Sequence, residues 1–358
     1  MKLIVITDAW HPQINGVVRT YEHIGEELEK RGHEVKIIGP RDMPRRIPLP
    51  GYREIELAIA PYKTIEKIIN EMRPDEIHIA TEGPMGWAAR RYCRKHGRGF
   101  SSSYHTHFPD YIAKRAARLF KPLYKPVQTI ARKGMRRFHA PAKLIMVATQ
   151  SLADELRQWG FQNRFVFLTR GINLSLFSPT PQESESNPLD GIPGPIALYV
   201  GRIAIEKNIE DMLDMDWPGS KVLIGSGPAL ETLKRKYPRA HFLGPKTGQE
   251  LAACYRAADV FTFPSRTDTF GIVLIEALAS GLPVAAYNVT GPKDIITEDF
   301  MGVLCEENIG QAAQKALQIE AKEKRAQHAH KNYTWEKAAD QFEEAILRPP
   351  KKLKNQDG

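Results

Sequence analysis

Short strand-like runs, most of them nearly continuous apolar, recur along this chain and alternate with longer stretches whose apolar positions return at helical spacing. In the first half the runs are "KLIVITD", "HEVKIIGP", "EIHIA", "SSSYHTH", "KLIMVAT" and "RFVFLTRG". In the second they are "PIALYVGR", "KVLIGSGP", "AHFLGP", "DVFTFPS", "PVAAYNV" and "MGVLC". Strands this rich in Val, Ile, Leu and Phe belong to sheets covered on both faces. Segments such as "NGVVRTYEHIGEELEKRG" and "FGIVLIEALASG" lie between them and read as helices. The alternation predicts an α/β fold with parallel sheets and right-handed crossovers.

One stretch breaks the rhythm. "SPTPQESESNPLDGIPGP", residues 178–195, has no apolar period and is rich in Pro, Ser and Glu. It predicts a linker or exposed loop between two Rossmann-like domains, 1–177 and 196–330. Residues 331–358 are expected to form a helix packing back on the first domain, followed by a frayed tail, with Thr334 as a candidate N-cap. The 358 residues suffice for two ordinary domains. No run approaches the roughly 20 apolar residues of a membrane span. "MKLIVITDAW" reads as a buried strand and turn, not a signal peptide. The scattered Cys93, Cys254 and Cys305 fit a reducing cytoplasm and neither a disulfide frame nor a zinc site.

Charge divides the chain. Residues 1–177 hold 30 Lys and Arg against 17 Asp and Glu, or +13, so the remainder carries −4 of the total +9. The excess is concentrated between Lys114 and Arg137, where nine cations occur without one carboxylate. Lys114, Arg118, Lys121 and Lys125 form a stripe beside Ile112, Ala116, Leu119, Phe120 and Leu123 on a helix that Pro122 and Pro126 should break. Such a basic amphipathic segment, with Arg115 among its cations, is expected on an anionic membrane surface. A core-packed helix with a solvated face is the plainer alternative. No helix-turn-helix, zinc-finger or aromatic RNA-binding signature supports nucleic acid as a partner.

In open α/β sheets ligands bind beyond the carboxyl ends of the strands. After "YVG", Arg202 and Lys207 flank a helix start, a pattern suited to pyrophosphate. After "FPS", a loop carries Asp268, Gly271 opens a helix, and Glu276 follows eight residues after Asp268. These carboxylates suit sugar hydroxyls. Asp214 and Asp216 form an Asp-x-Asp pair that reads as solvated surface and not as a metal site. "GSGP" at 225–228 lacks the rest of a dinucleotide fingerprint.

"GRIAIEKN" followed by "TDTFGIVLIEALASGLPV" resembles the retaining nucleotide-sugar glycosyltransferases of family 4, which have the GT-B fold. Their signature is Glu, seven residues, Glu; here Asp268 takes the first place. "PQINGVVRT", "YHTHFPDY" and "RGINLSLFSP" extend the resemblance, in order, to the branch of sulfoquinovosyl-diacylglycerol synthase-like lipid glycosyltransferases and related mannosyltransferases. It implies that Arg202 and Lys207 hold the donor diphosphate and Glu276 the ribose. Asp268 and the backbone of Phe270, Gly271 and Ile272 would hold the donor sugar. Gly16 would admit close backbone approach, and His107, or else His105, would lie near the sugar. The implied reaction retains configuration and needs no obligatory metal or other cofactor. Expected partners are a nucleotide sugar (UDP-glucose or UDP-glucuronate favoured) and a lipid acceptor such as diacylglycerol. The enzyme would sit peripherally on the cytoplasmic face of the membrane. A GDP-mannose-dependent mannosyltransferase, or a family 4 enzyme with a soluble or polysaccharide acceptor, is the alternative.

Overall fold

A computed structural model describes residues 1–347, except 14, 50, 51, 106, 108, 110, 111, 114–119 and 182–185. Among the described residues eight strands form in the first half: β1 (Lys2–Ile6), β2 (Glu34–Ile38), β3 (Arg46–Leu49), β4 (Tyr52–Ala58), β5 (Glu76–Ile79), β6 (Ser101–Ser103), β7 (Ile145–Val147) and β8 (Phe165–Phe167). Six follow in the second: β9 (Ile196–Val200), β10 (Ser220–Ile224), β11 (His241–Phe242), β12 (Val260–Phe263), β13 (Val284–Tyr287) and β14 (Gly302–Cys305).

The first sheet runs β2-β1-β5-β6-β7-β8 and the second β11-β10-β9-β12-β13-β14, and every pairing in both is parallel. The twelve runs read from sequence are these twelve strands. Among the described residues only β3 and β4 were not anticipated; they form an antiparallel hairpin outside both sheets.

The side-chain period of two builds a core on each face of each sheet. In β1, Ile4 and Ile6 meet Ile65, Ile69 and Met85 on one side. Leu3 and Val5 meet Tyr21, Ile24 and Leu28 on the other. In the second sheet Leu198 and Phe261 join Leu274 and Leu278, while Tyr199 and Leu223 join Met212 and Trp217.

The chain crosses between the two sheets twice. After the 178–195 segment it builds the second sheet. It then returns through the Lys322–Asn332 helix, which packs beside the Ile272–Ala279 helix, to the Trp335–Leu347 helix. Thr334 Oγ1 accepts from Lys337 N (3.2 Å) at the start of that last helix. The helix lies on the Gly16–Lys30 helix of the first half. Phe342 is fully buried there, edge-on to the rings of Tyr21 and His78. Arg31 Nη1 reaches Asp340 Oδ1 and Glu343 Oε2, both at 2.7 Å. The two crossings touch, because Ile172 N donates to Tyr333 O (3.1 Å).

Candidate active site

Strand order reverses between β9 and β12, the place where a crevice opens at the carboxyl ends of parallel strands. The loop after β9 carries Arg202 and leads into a short turn, Ile205–Lys207. The loop after β12 carries Asp268 and ends at Gly271 (φ 103°), which caps the Ile272–Ala279 helix. The reversal therefore brings Lys207 and Asp268 together from positions 61 residues apart: Lys207 Nζ lies 2.6 Å from Asp268 Oδ1 and 2.8 Å from Oδ2. Burial pushes the Asp268 carboxyl up, but the Lys207 ammonium outweighs it and holds the group below the usual value. Arg202 Nη2 stands 3.5 Å from Glu206 Oε1 at the rim. Phe270 is buried beside them, edge-on to Tyr333.

Glu276 lies on the same short helix and is only 2% exposed. Its two oxygens are held from different domains. Tyr255 Oη donates to Oε2 (3.0 Å), and Arg19 Nη1 donates to Oε1 (3.1 Å). Burial raises the Glu276 carboxyl above its usual value, and Arg19 opposes that shift. Neither Arg19 nor Tyr255 was anticipated from sequence. Arg19 follows Gly16 by one helical turn, on a helix capped by Asn15, whose Oδ1 accepts from Val17 N and Val18 N. A Cβ on Gly16 would stand 3.3 Å from Ile272 Cδ1, so the amino ends of the two helices face each other at contact distance.

The two histidines of "YHTH" part company. Strand β6 ends at Ser103, so the alternation of an ideal strand does not carry through to them. His105 turns into a buried network. Arg170 Nη2 donates to its Nδ1 (2.8 Å). A guanidinium has no acceptor, so the proton sits on Nε2, which meets Tyr21 Oη at 2.9 Å. Tyr21 Oη also lies 2.8 Å from His78 Nε2 and from Ser103 Oγ. Burial, reinforced by Arg170, holds His105 neutral, and burial takes His78 down to about 3. The His105 carbonyl accepts from Thr269 Oγ1 (2.6 Å), next to Asp268 in the facing domain. His107 is also buried, packed by Tyr104 and Trp159, with Nε2 3.7 Å from Glu155 Oε2. Glu155 in turn accepts from Thr290 Oγ1 of the second domain (3.3 Å), and Ser151 Oγ donates to Asp294 Oδ1 (2.9 Å).

Of the basic segment, Lys114, Arg115 and Arg118 lie outside the described residues. Lys121 opens a short turn, Lys121–Leu123. Lys125 is exposed on the Tyr124–His139 helix. The prolines begin this helix and do not break it: Pro122 precedes it and Pro126 occupies its first turn, where a missing N–H costs nothing. Ile112, Phe120, Leu123 and Ile130 are solvent-exposed, 48%, 61%, 39% and 70% respectively, so these four positions do not form a core face, while Ala116 and Leu119 lie outside the described residues. Asp214 and Asp216 are exposed, and Asp214 accepts from Tyr237 Oη. Among the described residues no helix is long and apolar enough to cross a membrane.

Two family models account for nearly all of this architecture: Glycosyltransferase Family 4 matches residues 14–176, and Glycosyl transferases group 1 matches residues 190–336. The chain belongs to the family 4 glycosyltransferases. It is 32% identical over 296 residues to a sulfoquinovosyl transferase of Arabidopsis thaliana, covering 80% of this chain but only 55% of that protein. A GDP-mannose-dependent alpha-mannosyltransferase of Mycobacterium tuberculosis is 26% identical over 85% of this chain and 83% of its own length. An alpha-monoglucosyldiacylglycerol synthase of Acholeplasma laidlawii is 27% identical over 79% of each. Among solved structures, sucrose-phosphate synthase of Thermosynechococcus elongatus superposes with a TM-score of 0.75 at 22% identity, over 96% of this chain and 98% of that one. The fold of this glycosyltransferase is therefore GT-B.

Proposed function

We propose that this glycosyltransferase moves a hexose from a nucleotide sugar, UDP-glucose or UDP-glucuronate, to a membrane lipid such as diacylglycerol, with retention of configuration. The observation that carries the reading is the Lys207–Asp268 pair at the strand reversal of the second domain, with Asp268 on the loop that leads into the helix of Glu276, whose amino end faces Gly16. Arg202 and Lys207 bind the diphosphate and stabilise the charge that grows on it as the bond from C1 to the phosphate oxygen breaks. Glu276 receives the ribose hydroxyls. Asp268 and the backbone from Phe270 to Ile272 hold the sugar, with His107 beside it.

The acceptor hydroxyl attacks C1 from the face the phosphate leaves, and its proton passes to the departing phosphate oxygen. The new bond joins C1 to the acceptor oxygen, so the product is an alpha-glycoside. The protein's work is orientation and charge stabilisation. Two cations and a helix amino end supply the positive field, so no metal is required in this scheme.

The acceptor side rests on the first domain. Its net +13, the exposed Phe120, Leu123 and Ile130, and Lys125 beside them suit an anionic leaflet. Lys114, Arg115, Arg118 and Lys121 belong to the same segment. The enzyme would act peripherally on the cytoplasmic face. The likeness to an alpha-monoglucosyldiacylglycerol synthase supports a diacylglycerol acceptor and transfer of glucose. The mannosyltransferase relative favours a second reading, with GDP-mannose as donor.

The test is a donor screen. UDP-glucose, UDP-glucuronate, UDP-galactose and GDP-mannose are each incubated with the protein and diacylglycerol in anionic vesicles, and the lipids are analysed by mass spectrometry. A glycolipid is expected with a UDP-sugar. A product from GDP-mannose alone establishes the second reading, and activity indifferent to vesicles overturns the lipid acceptor.

A further inference from the structure

The ribose-binding carboxylate proposed above is built from both domains, and this has a functional consequence. Glu276 sits on the second domain, almost fully buried. A buried carboxylate stays charged only if it is paired and hydrogen-bonded. Its neighbour from its own domain is Tyr255, a neutral donor on the Gly248–Ala257 helix, with Cys254 beside it. Its cation comes from the first domain: Arg19, on the Gly16–Lys30 helix, donates to Oε1 at 3.1 Å. Each donor takes one acceptor position on a different oxygen. Each carboxylate oxygen has two such positions, so one is left on each oxygen. Two adjacent acceptor positions match the two vicinal hydroxyls of a ribose.

We propose that Arg19 is a positioning residue that completes the ribose site when the domains close. Its guanidinium orients the Glu276 carboxylate and keeps it charged. Nucleotide recognition and closure of the cleft are thereby linked through one ion pair. The Gly16–Ile272 contact and the Thr269–His105 hydrogen bond flank that pair and hold the same closed arrangement. This inference rests on the nucleotide-sugar reading.

The experiment measures UDP and GDP binding by isothermal titration calorimetry to the wild-type chain, Arg19→Gln and Arg19→Lys, from pH 5 to pH 8. Circular dichroism confirms that each variant is folded. Arg19→Gln should bind the better nucleotide roughly tenfold more weakly at pH 7, the scale of losing one charge-assisted partner of a buried carboxylate. Arg19→Lys should recover part of that loss.

The pH dependence separates this role from simple structural support. Without Arg19 the Glu276 carboxyl takes up its proton more readily, so binding by Arg19→Gln should fail at higher pH than binding by the wild type. Titration of the nucleotide itself is common to all three proteins and cancels in the comparison. Wild-type affinity for UDP or GDP, with Arg19→Gln binding as tightly or more tightly and with the same pH profile, overturns the proposal alone. No binding of either nucleotide to the wild type removes the nucleotide-sugar reading and this proposal with it.

Discussion

Gly291 offers a sharp test of how the Asp268 loop is held, since its backbone takes φ 94° and ψ −78°, a region that L side chains avoid. It also presses against the loop from behind. A Cβ there would lie 2.8 Å from Asp268 O, 2.9 Å from Phe270 O and 3.1 Å from Phe270 N. Comfortable separation is roughly 3.5 Å, so Gly291→Ala must push the loop away by about half an ångström. Backbone strain costs about 1–2 kcal/mol, and the displacement brings the total to about 2–3 kcal/mol. At about 2–4 °C per kcal/mol, the second domain should melt about 5–10 °C lower. Because misplacement by about 1 Å can cost about a hundredfold in rate, the shifted Asp268 should lower kcat/KM by roughly tenfold. Thermal unfolding by circular dichroism and donor turnover read the two effects. Gly134→Ala is the control. It lies in the Tyr124–His139 helix with nothing within 4 Å of its would-be Cβ, and should stabilise by about 0.5–1 kcal/mol. If Gly291→Ala melts and turns over like the wild type, the contact does not position the loop.

Lys207→Met should weaken UDP or GDP binding by about a hundredfold, because it removes the cation proposed to hold the diphosphate and takes the ion-pair partner from Asp268; calorimetry reads it. Phe342→Ala should cost about 3–5 kcal/mol and undock the Trp335–Leu347 helix, seen as rapid proteolysis after residue 333. Arg31 and His33 hold the Glu343 carboxyl below its usual value. A depressed carboxylate stabilises above its unfolded value of about 4.3 and loses that contribution as pH falls through the folded one. Glu343→Gln should therefore lower stability by at most about 1 kcal/mol at pH 7, and urea unfolding should show the gap closing below about pH 4.

The strands were legible because parallel sheets covered on both faces demand continuous apolar runs, and β1, β9 and β12 are such runs. The hairpin was not, because β3 is "RIPL", largely exposed, with a proline and a cation that read as loop. In the site, Asp268, Gly271 and Glu276 share one loop and helix, so their relation is local and visible in the sequence. Arg19 meets Glu276 across 257 residues, and only the packing of the two domains against each other puts them together. Tyr255 gave no signal either, since its spacing marks it as a core residue of an amphipathic helix, which it also is. The histidine pair was ambiguous for a different reason: the strand that would have fixed their faces stops at Ser103.

The paired crossings between the sheets have mechanical meaning. A single tether lets two bodies swivel about it in any direction, as a ball joint does. Here two segments run side by side, joined by the Ile172–Tyr333 hydrogen bond, and each is anchored in both bodies. Two adjacent tethers define a line, and the remaining freedom is rotation about that line, like a door on its frame. A hinge of that kind would return Arg19 to the same place opposite Glu276 at every closure, which would make a contact between residues far apart in the chain reproducible enough to serve chemistry.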